Sequence, residues 1–228
     1  MISDVYWGIL EESEYLVNST ESNENKKRKH HSIDNNLIAN SCHTLNDPLI
    51  YTFGKEVHFT AGVNKFTIEN IIKQISAIIH KYIEEYTSRG ETLEITYVVD
   101  SPGGSCTSIL KFVDFLELTR SKYPNIKFKS VISGLVASAG TIMACVADER
   151  LMTSNAKSMI HDLSGNNGGT YTQMMSQIQF IKDLNESLVN IYLKKSNKTK
   201  EELTELLKTN KWFNANEYLE YGFVDRII

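Results

Sequence analysis

Residues 93–104 read LEITYVVDSPGG, and this stretch decides the fold. Its first seven residues are rich in β-branched and aromatic side chains, which favours a strand. The strand ends at Gly103 and Gly104, where bare backbone can approach another group closely. Apolar residues then recur at helical spacing over 108–119. A strand that leads through a glycine turn into a helix is the first half of a βαβ unit.

The same alternation continues on both sides of this stretch. Strands are predicted over 55–60, 128–132 and 158–160, and helices over 64–85, 138–147 and 171–193. Strands and helices in alternation predict parallel pairing with right-handed crossovers, and therefore an α/β fold. We expect this domain to occupy residues 49–228.

Residues 1–48 differ in composition from the rest of the chain. They are rich in Ser, Asn and Glu, and they contain the basic run KKRKHH at 26–31. Such a segment cannot bury enough apolar surface to order itself, so we predict a flexible, poorly ordered arm. The basic run could bind nucleic acid, an acidic partner or a metal, and the simpler interpretation is a solvated tail.

Composition excludes several classes of protein. The net charge of -4 argues against a surface shaped for nucleic acid or anionic lipid, so we expect neither partner. The three cysteines, Cys42, Cys106 and Cys145, have neither disulfide-framework nor metal-ligand spacing, which favours a reducing compartment. No apolar run reaches the roughly 18 residues of a membrane span, and no secretory signal is visible, so we expect a cytoplasmic protein.

The segment GLVASAG at 134–140 carries a candidate nucleophile, Ser138. This serine follows a predicted strand and lies at the first turn of a predicted helix, among small residues. Backbone N–H groups there have no intrahelical partner, so they can stabilise an anion beside the hydroxyl. A helix cap with small neighbours chosen for close packing is the alternative.

Two backbone groups are candidate donors to a developing oxyanion: the N–H groups of Gly104 and Ala139. A phosphate-binding loop is a weaker interpretation of Gly103 and Gly104. It would need Lys-Ser or Lys-Thr after the glycines, or a G-x-G-x-x-G spacing, and the sequence has neither. A plain tight turn remains open.

His161 is the candidate general base. It follows the short apolar run Met159-Ile160 and precedes a polar loop, which places the imidazole at the end of a predicted strand, at the edge of the sheet. The other five histidines lie in the predicted arm or on early elements that offer no catalytic partner. A structural histidine is the alternative.

Five ordered motifs between about Lys55 and Ile228 resemble the proteolytic subunit of Clp protease, ClpP, a family of serine proteases with the same broad fold as the crotonases. The motifs are GKEV at 54–57 with Gly62, DSPGG at 100–104, GLVASAG at 134–140, MIH at 159–161, and WFNA at 212–215 followed by EYG and VD. The resemblance implies a ClpP/crotonase-like spiral of βαβ units. It also implies a serine endopeptidase of unfolded or flexible polypeptides that needs no metal or organic cofactor.

The resemblance assigns roles to the candidate residues. Ser138 becomes the nucleophile, His161 the general base, and Gly104 with Ala139 the oxyanion hole. A protruding handle at about 163–195 would pair subunits across two stacked rings with the active sites inside. We therefore expect a homo-oligomer or a mixed ring with a paralogue, and the family's unfolding ATPase as a further partner.

The sequence departs from the family pattern at the third catalytic residue. Asn210 stands where the family has its aspartate, and a neutral amide can orient the imidazole but supplies no charge. The loss amounts to about 10⁴ in turnover in the serine-protease example, so we predict a slow enzyme. Asp162 and Asp100 are poor substitutes, because neighbouring side chains of an extended segment point to opposite faces and Asp100 only precedes the glycines.

Two further departures concern substrate and partner. Ala139 replaces the family's usual methionine, which keeps the backbone donor but alters the pocket for the substrate side chain. Residues 1–48 do not match the family's N-terminal axial loop, which engages the ATPase.

Two other functions remain as alternatives. One is a catalytically weak or silent subunit that completes a mixed ring or acts as an assembly factor, which Asn210 favours. The other is a crotonase-fold acyl-CoA enzyme, which explains neither Ser138 at a helix start nor His161 after it.

Overall fold

The computed structural model describes residues 6–8, 49–165 and 168–228. Ten strands lie in these ranges: β1 Tyr6–Gly8, β2 Ile50–Phe53, β3 Glu56–Phe59, β4 Leu93–Ser101, β5 Gly103–Ser105, β6 Ile126–Ala137, β7 Glu149–Met152, β8 Lys157–Met159, β9 Trp212–Phe213 and β10 Arg226–Ile227. The same ranges hold six helices: α1 Lys65–Arg89, α2 Cys106–Lys122, α3 Ala139–Cys145, α4 Tyr171–Leu193, α5 Lys200–Leu207 and α6 Ala215–Glu220. The predicted arm, residues 1–48, lies outside the described residues except for β1.

One mixed sheet of eight strands forms the centre of the described domain. Its order is β10-β7-β6-β4-β3-β2, and β8 and β9 extend it beyond the end of β6. All the pairs of this sheet are parallel except β2 with β3 and β8 with β9. Parallel strands joined by helices confirm the predicted α/β class.

The core is built between this sheet and its helices. Alternate residues of β4, namely Leu93, Ile95, Tyr97 and Val99, are fully buried. The isoleucine face of α1 packs into the same core, and each fully buried isoleucine contributes about 2 kcal/mol. Asn64 forms a capping box at the start of α1, and Gly90 ends the helix in the left-handed conformation that glycine tolerates.

The structure corrects the prediction that Gly103 and Gly104 form a turn that opens a helix. They belong instead to strand β5, and Ser105 is the N-cap of α2. The glycines form a strand because Val63 pairs with them. The Val63 N–H donates to the Gly103 carbonyl at 2.6 Å, and the Ser105 N–H donates to the Val63 carbonyl at 2.7 Å.

Helix α4 coincides with the predicted 171–193 helix of the handle. Its C-terminal half is anchored in the core by Leu184, Leu188, Val189 and Tyr192. Its N-terminal half is exposed, although it carries the apolar residues Tyr171, Met174, Met175, Ile178 and Phe180. Asn166 and Asn167 of the preceding segment lie outside the described residues. Among the helices that the structure describes, none is long and apolar enough to cross a membrane.

Candidate active site

Ser138 lies at the junction of β6 and α3, in a backbone conformation that is rare for a residue with a side chain. Its φ is 58° and its ψ is -128°. Such a conformation costs about 1 to 3 kcal/mol, persists only where the surroundings impose it, and clusters at active sites. Here the Ser138 N–H donates to the Met159 carbonyl at 2.8 Å, which ties the residue to β8. The serine is thus held at a sharp strand-to-helix turn, with its residue surface fully buried.

The Ser138 hydroxyl contacts the imidazole of His161. The distance from Ser138 Oγ to His161 Nε2 is 3.0 Å, which is within reach for proton transfer. Although Ser138 occupies the N-cap position of α3, its side chain makes no capping hydrogen bond. The alternative of a plain helix cap is therefore wrong for this serine.

Sheet topology explains why residues 23 positions apart meet. Strand β8 runs parallel to the end of β6, with Met159 opposite Ala137. Ser138 follows the last paired residue of β6, and His161 follows β8 by two residues. Because the carboxyl ends of parallel strands lie at the same edge of a sheet, the two side chains converge there.

Burial sets the protonation state of His161. It lowers the pKa of the imidazole from the ordinary 6.5 to about 4, because the charged ring loses hydration. The ring is consequently neutral at pH 7, as a general base must be. Burial is the cause of this lowered pKa.

Asp162 and Asp100, the two possible substitutes for the missing catalytic aspartate, make contacts of their own elsewhere in the backbone. Burial raises the pKa of the Asp162 carboxyl, and its backbone N–H donates to the Leu207 carbonyl at 2.9 Å. Asp100 lies at a bulge of β4, where its carboxylate accepts a hydrogen bond of 3.1 Å from the Leu135 N–H. Asp100 therefore braces the backbone of β6 just before Ser138.

Asn210 lies between α5 and β9, in the left-handed conformation with φ 49°. Strand β9 is antiparallel to β8, with Trp212 opposite Met159. Asn210 itself is exposed and precedes this paired stretch, so its contact with His161 stays a prediction. Asparagine is one of the few residues that tolerate its backbone conformation.

The backbone N–H groups of Gly104 and Ala139 are the two candidate oxyanion donors. A Cβ atom on Gly104 would lie 2.2 Å from the Val63 carbonyl oxygen, so only glycine fits there. Val63 donates to the Gly103 carbonyl and accepts from the Ser105 N–H, so the N–H of Gly104 points to the opposite edge of β5. Ala139 is buried in the first turn of α3, where its N–H has no intrahelical partner.

Ser101 is a supporting residue that the sequence analysis did not single out. It is fully buried; its hydroxyl donates to the Ala61 carbonyl at 2.7 Å and accepts a 3.2 Å bond from the Gly103 N–H. A Cβ on Gly140 would lie 3.1 Å from the Ser101 Cβ, so α3 packs closely against this point. A serine at the end of an apolar strand, directly before Pro-Gly-Gly, was the signal that could have identified it.

The described residues contain no cluster of three or more His, Cys, Asp or Glu side chains that could hold a metal ion. Serine, imidazole and backbone donors together can carry acyl transfer, because they supply a nucleophile, a base and stabilisation of an oxyanion.

Comparison with known proteins gives consistent matches. A profile of the Clp protease family matches residues 55–228. The chain is 30% identical over 137 residues to the ATP-dependent Clp protease proteolytic subunit 2 of Bifidobacterium longum, a match that covers 59% of this chain and 64% of that protein. It is 32% identical over 145 residues to the ATP-dependent Clp protease proteolytic subunit of Streptococcus gordonii, which covers 62% of this chain and 71% of that protein. The chain thus spans less than two thirds of the length of the first relative.

Proposed function

Since the chain belongs to the Clp protease family, we propose that it is a serine endopeptidase of the ClpP type with Ser138 as nucleophile. The observation that carries this proposal is the 3.0 Å contact between Ser138 Oγ and His161 Nε2. The described sheet of mostly parallel strands with its six helices agrees with the ClpP fold. The proposal needs no metal or organic cofactor.

In this proposal His161 takes the proton of Ser138 as the hydroxyl oxygen attacks a peptide carbonyl carbon. The carbonyl oxygen becomes negative and accepts hydrogen bonds from the N–H groups of Gly104 and Ala139. His161 then gives its proton to the leaving amine, and a water molecule activated by the same imidazole hydrolyses the acyl-enzyme.

The rate should be limited by the third residue. An aspartate stabilises the imidazolium that forms during attack, whereas the side chain of Asn210 can only orient the ring. The low pKa of His161 fits this view, because burial disfavours the charged ring that forms during attack. We therefore expect slow hydrolysis.

The exposed part of α4 supports an oligomeric chamber. Tyr171 is 75% exposed and Met175 is 49% exposed, and such a large apolar surface is unusual on a monomer. A second copy of the chain, in a stacked ring or a mixed ring with a paralogue, would bury it. The relatives' names call them ATP-dependent, so an unfolding ATPase that delivers polypeptide is a partner under the same proposal.

A second function is favoured by Asn210: a catalytically silent subunit that completes a ring. The two functions differ in one measurable property, which is turnover by the assembled particle. The mass of the purified particle should be measured by native mass spectrometry, and hydrolysis of a short fluorogenic peptide should be assayed on the same sample.

We expect hydrolysis by the wild-type particle, and loss of hydrolysis without a change of mass in Ser138→Ala. Equal hydrolysis by both proteins would refute the assigned nucleophile. An assembled particle that stays inactive, also after Asn210→Asp, would favour the silent subunit.

A further inference from the structure

Strand β1 lies along β5, the strand that carries a proposed oxyanion donor. The two strands are antiparallel, with Tyr6 opposite Ser105, Trp7 opposite Gly104 and Gly8 opposite Gly103. Residues 6–8 thus pair with the glycine that carries a proposed oxyanion donor.

The pairing uses the one edge of β5 that Val63 leaves open. Val63 binds the carbonyl of Gly103 and the N–H of Ser105. Successive residues of a strand direct their amide groups to opposite edges, so the N–H and C=O of Gly104 face the edge along which β1 lies. Trp7 and Gly104 then form the hydrogen-bonded pair, in which the Gly104 N–H donates to the Trp7 carbonyl.

A polypeptide substrate would need the same edge. An extended peptide binds an open strand edge through main-chain hydrogen bonds, and under the proposed function this edge carries the Gly104 N–H that receives the oxyanion. The Gly104 N–H cannot serve the Trp7 carbonyl and a developing oxyanion at full strength together. From this conflict we infer that residues 6–8 act as an internal competitor that occupies the substrate edge of β5 and restrains the peptidase. This inference rests on the proposed function.

The competitor is suited to reversible displacement. Its strand has three residues, whereas an isolated two-stranded pair is at best marginally stable. A longer substrate strand makes more main-chain bonds and can replace it. We expect the restraint to lower the rate of reaction at Ser138 about tenfold, which is the effect of one or two hydrogen bonds.

A pair of proline substitutions in the full-length chain tests the inference. Trp7→Pro removes the N–H that faces Gly104, whereas Tyr6→Pro removes an N–H that points away from β5 and serves as the matched control. Hydrogen exchange at the Gly104 amide, resolved by mass spectrometry, reports the pairing without any need for catalysis. The rate of labelling of Ser138 by a fluorophosphonate reports access to the site.

We expect Trp7→Pro to lose protection at Gly104 and to be labelled about tenfold faster, while Tyr6→Pro behaves as the wild type. Unchanged protection in Trp7→Pro would overturn the pairing. Lost protection with unchanged labelling would overturn the restraint. Absence of labelling in every variant, despite the change in exchange, would refute the proposed peptidase and leave the pairing intact, so the two failures are distinguishable.

Discussion

The substitution Asn210→Asp tests how far the missing carboxylate limits the enzyme. Asparagine and aspartate have nearly the same shape, and both tolerate the left-handed conformation found at position 210. Under the proposed function the change therefore adds a negative charge to the residue assigned to orient His161, and it leaves the backbone as it is. Asn210→Gly is the matched control, because glycine keeps the backbone conformation and removes the side chain.

The size of the effect follows from the pKa of His161. The difference between the ordinary pKa of 6.5 and the value of about 4 corresponds to about 3 kcal/mol against the protonated ring. Because the ring is only partly buried, solvent screening reduces this penalty to about 2 kcal/mol. An adjacent carboxylate can offset a penalty of this size, which amounts to about 30-fold in rate. The upper bound is the factor of about 10⁴ known for the reverse change in a serine protease.

The assay is steady-state hydrolysis of a fluorogenic peptide by assembled particles between pH 4 and pH 8. We expect Asn210→Asp to raise kcat about 30-fold and Asn210→Gly to stay at or below the wild-type rate. The reasoning fails if Asn210→Asp is no faster than the wild type while it keeps the same particle mass and thermal stability.

Three more predictions concern protonation, the oxyanion hole and assembly. Because neutral His161 is the base, kcat/KM of the wild type should fall on acidification only near pH 4. A fall of kcat/KM near pH 6.5 would contradict the buried ring. In Asn210→Asp the pH at which kcat/KM is half-maximal should rise. Gly104→Ala should lower kcat by about 100-fold or more, because its Cβ would collide with the Val63 carbonyl. Gly54→Ala is the control, because a Cβ there meets open space, and it should lower only the stability measured in a thermal melt. Equal kcat in the two variants would refute the role of β5. Ile178→Glu places a charge on the exposed apolar face of α4 and should reduce the particle mass in light scattering; an unchanged mass would exclude that face from the assembly.

Local patterns were sufficient for the longest elements, and together with the ordered motifs of the family they pointed to Ser138 and His161. The spacing of isoleucines predicted α1, although the helix continues to Arg89 because Gly90 is the residue that ends it. Ser138 and His161 were predicted from their places at the ends of two strands, and parallel pairing of β6 with β8 brings them within 3.0 Å. The information for α1 lies within the helix itself, whereas the roles of the two side chains were assigned from the set of motifs in their order along the sequence.

Strand β5 could not be predicted because its partners are distant in sequence. Gly103 and Gly104 have the local character of a turn, but pairing with Val63 on one edge and with β1 on the other makes them a strand. Short strands such as β9 and β10 were also missed, since two residues carry no periodicity and depend on the neighbour they pair with. The conformation of Ser138 is likewise imposed by the hydrogen bond to Met159, which no local pattern encodes.

The central claim is that Ser138 is a nucleophile activated by His161, and the most direct measurement is the site of covalent modification. The folded, assembled protein should be treated with a fluorophosphonate, digested and mapped by mass spectrometry, beside His161→Ala and Ser138→Ala. We expect one adduct, on Ser138, that forms at least 100-fold more slowly in His161→Ala and is absent from Ser138→Ala. An unmodified Ser138 in the folded protein, or equal labelling with and without the imidazole, would contradict it.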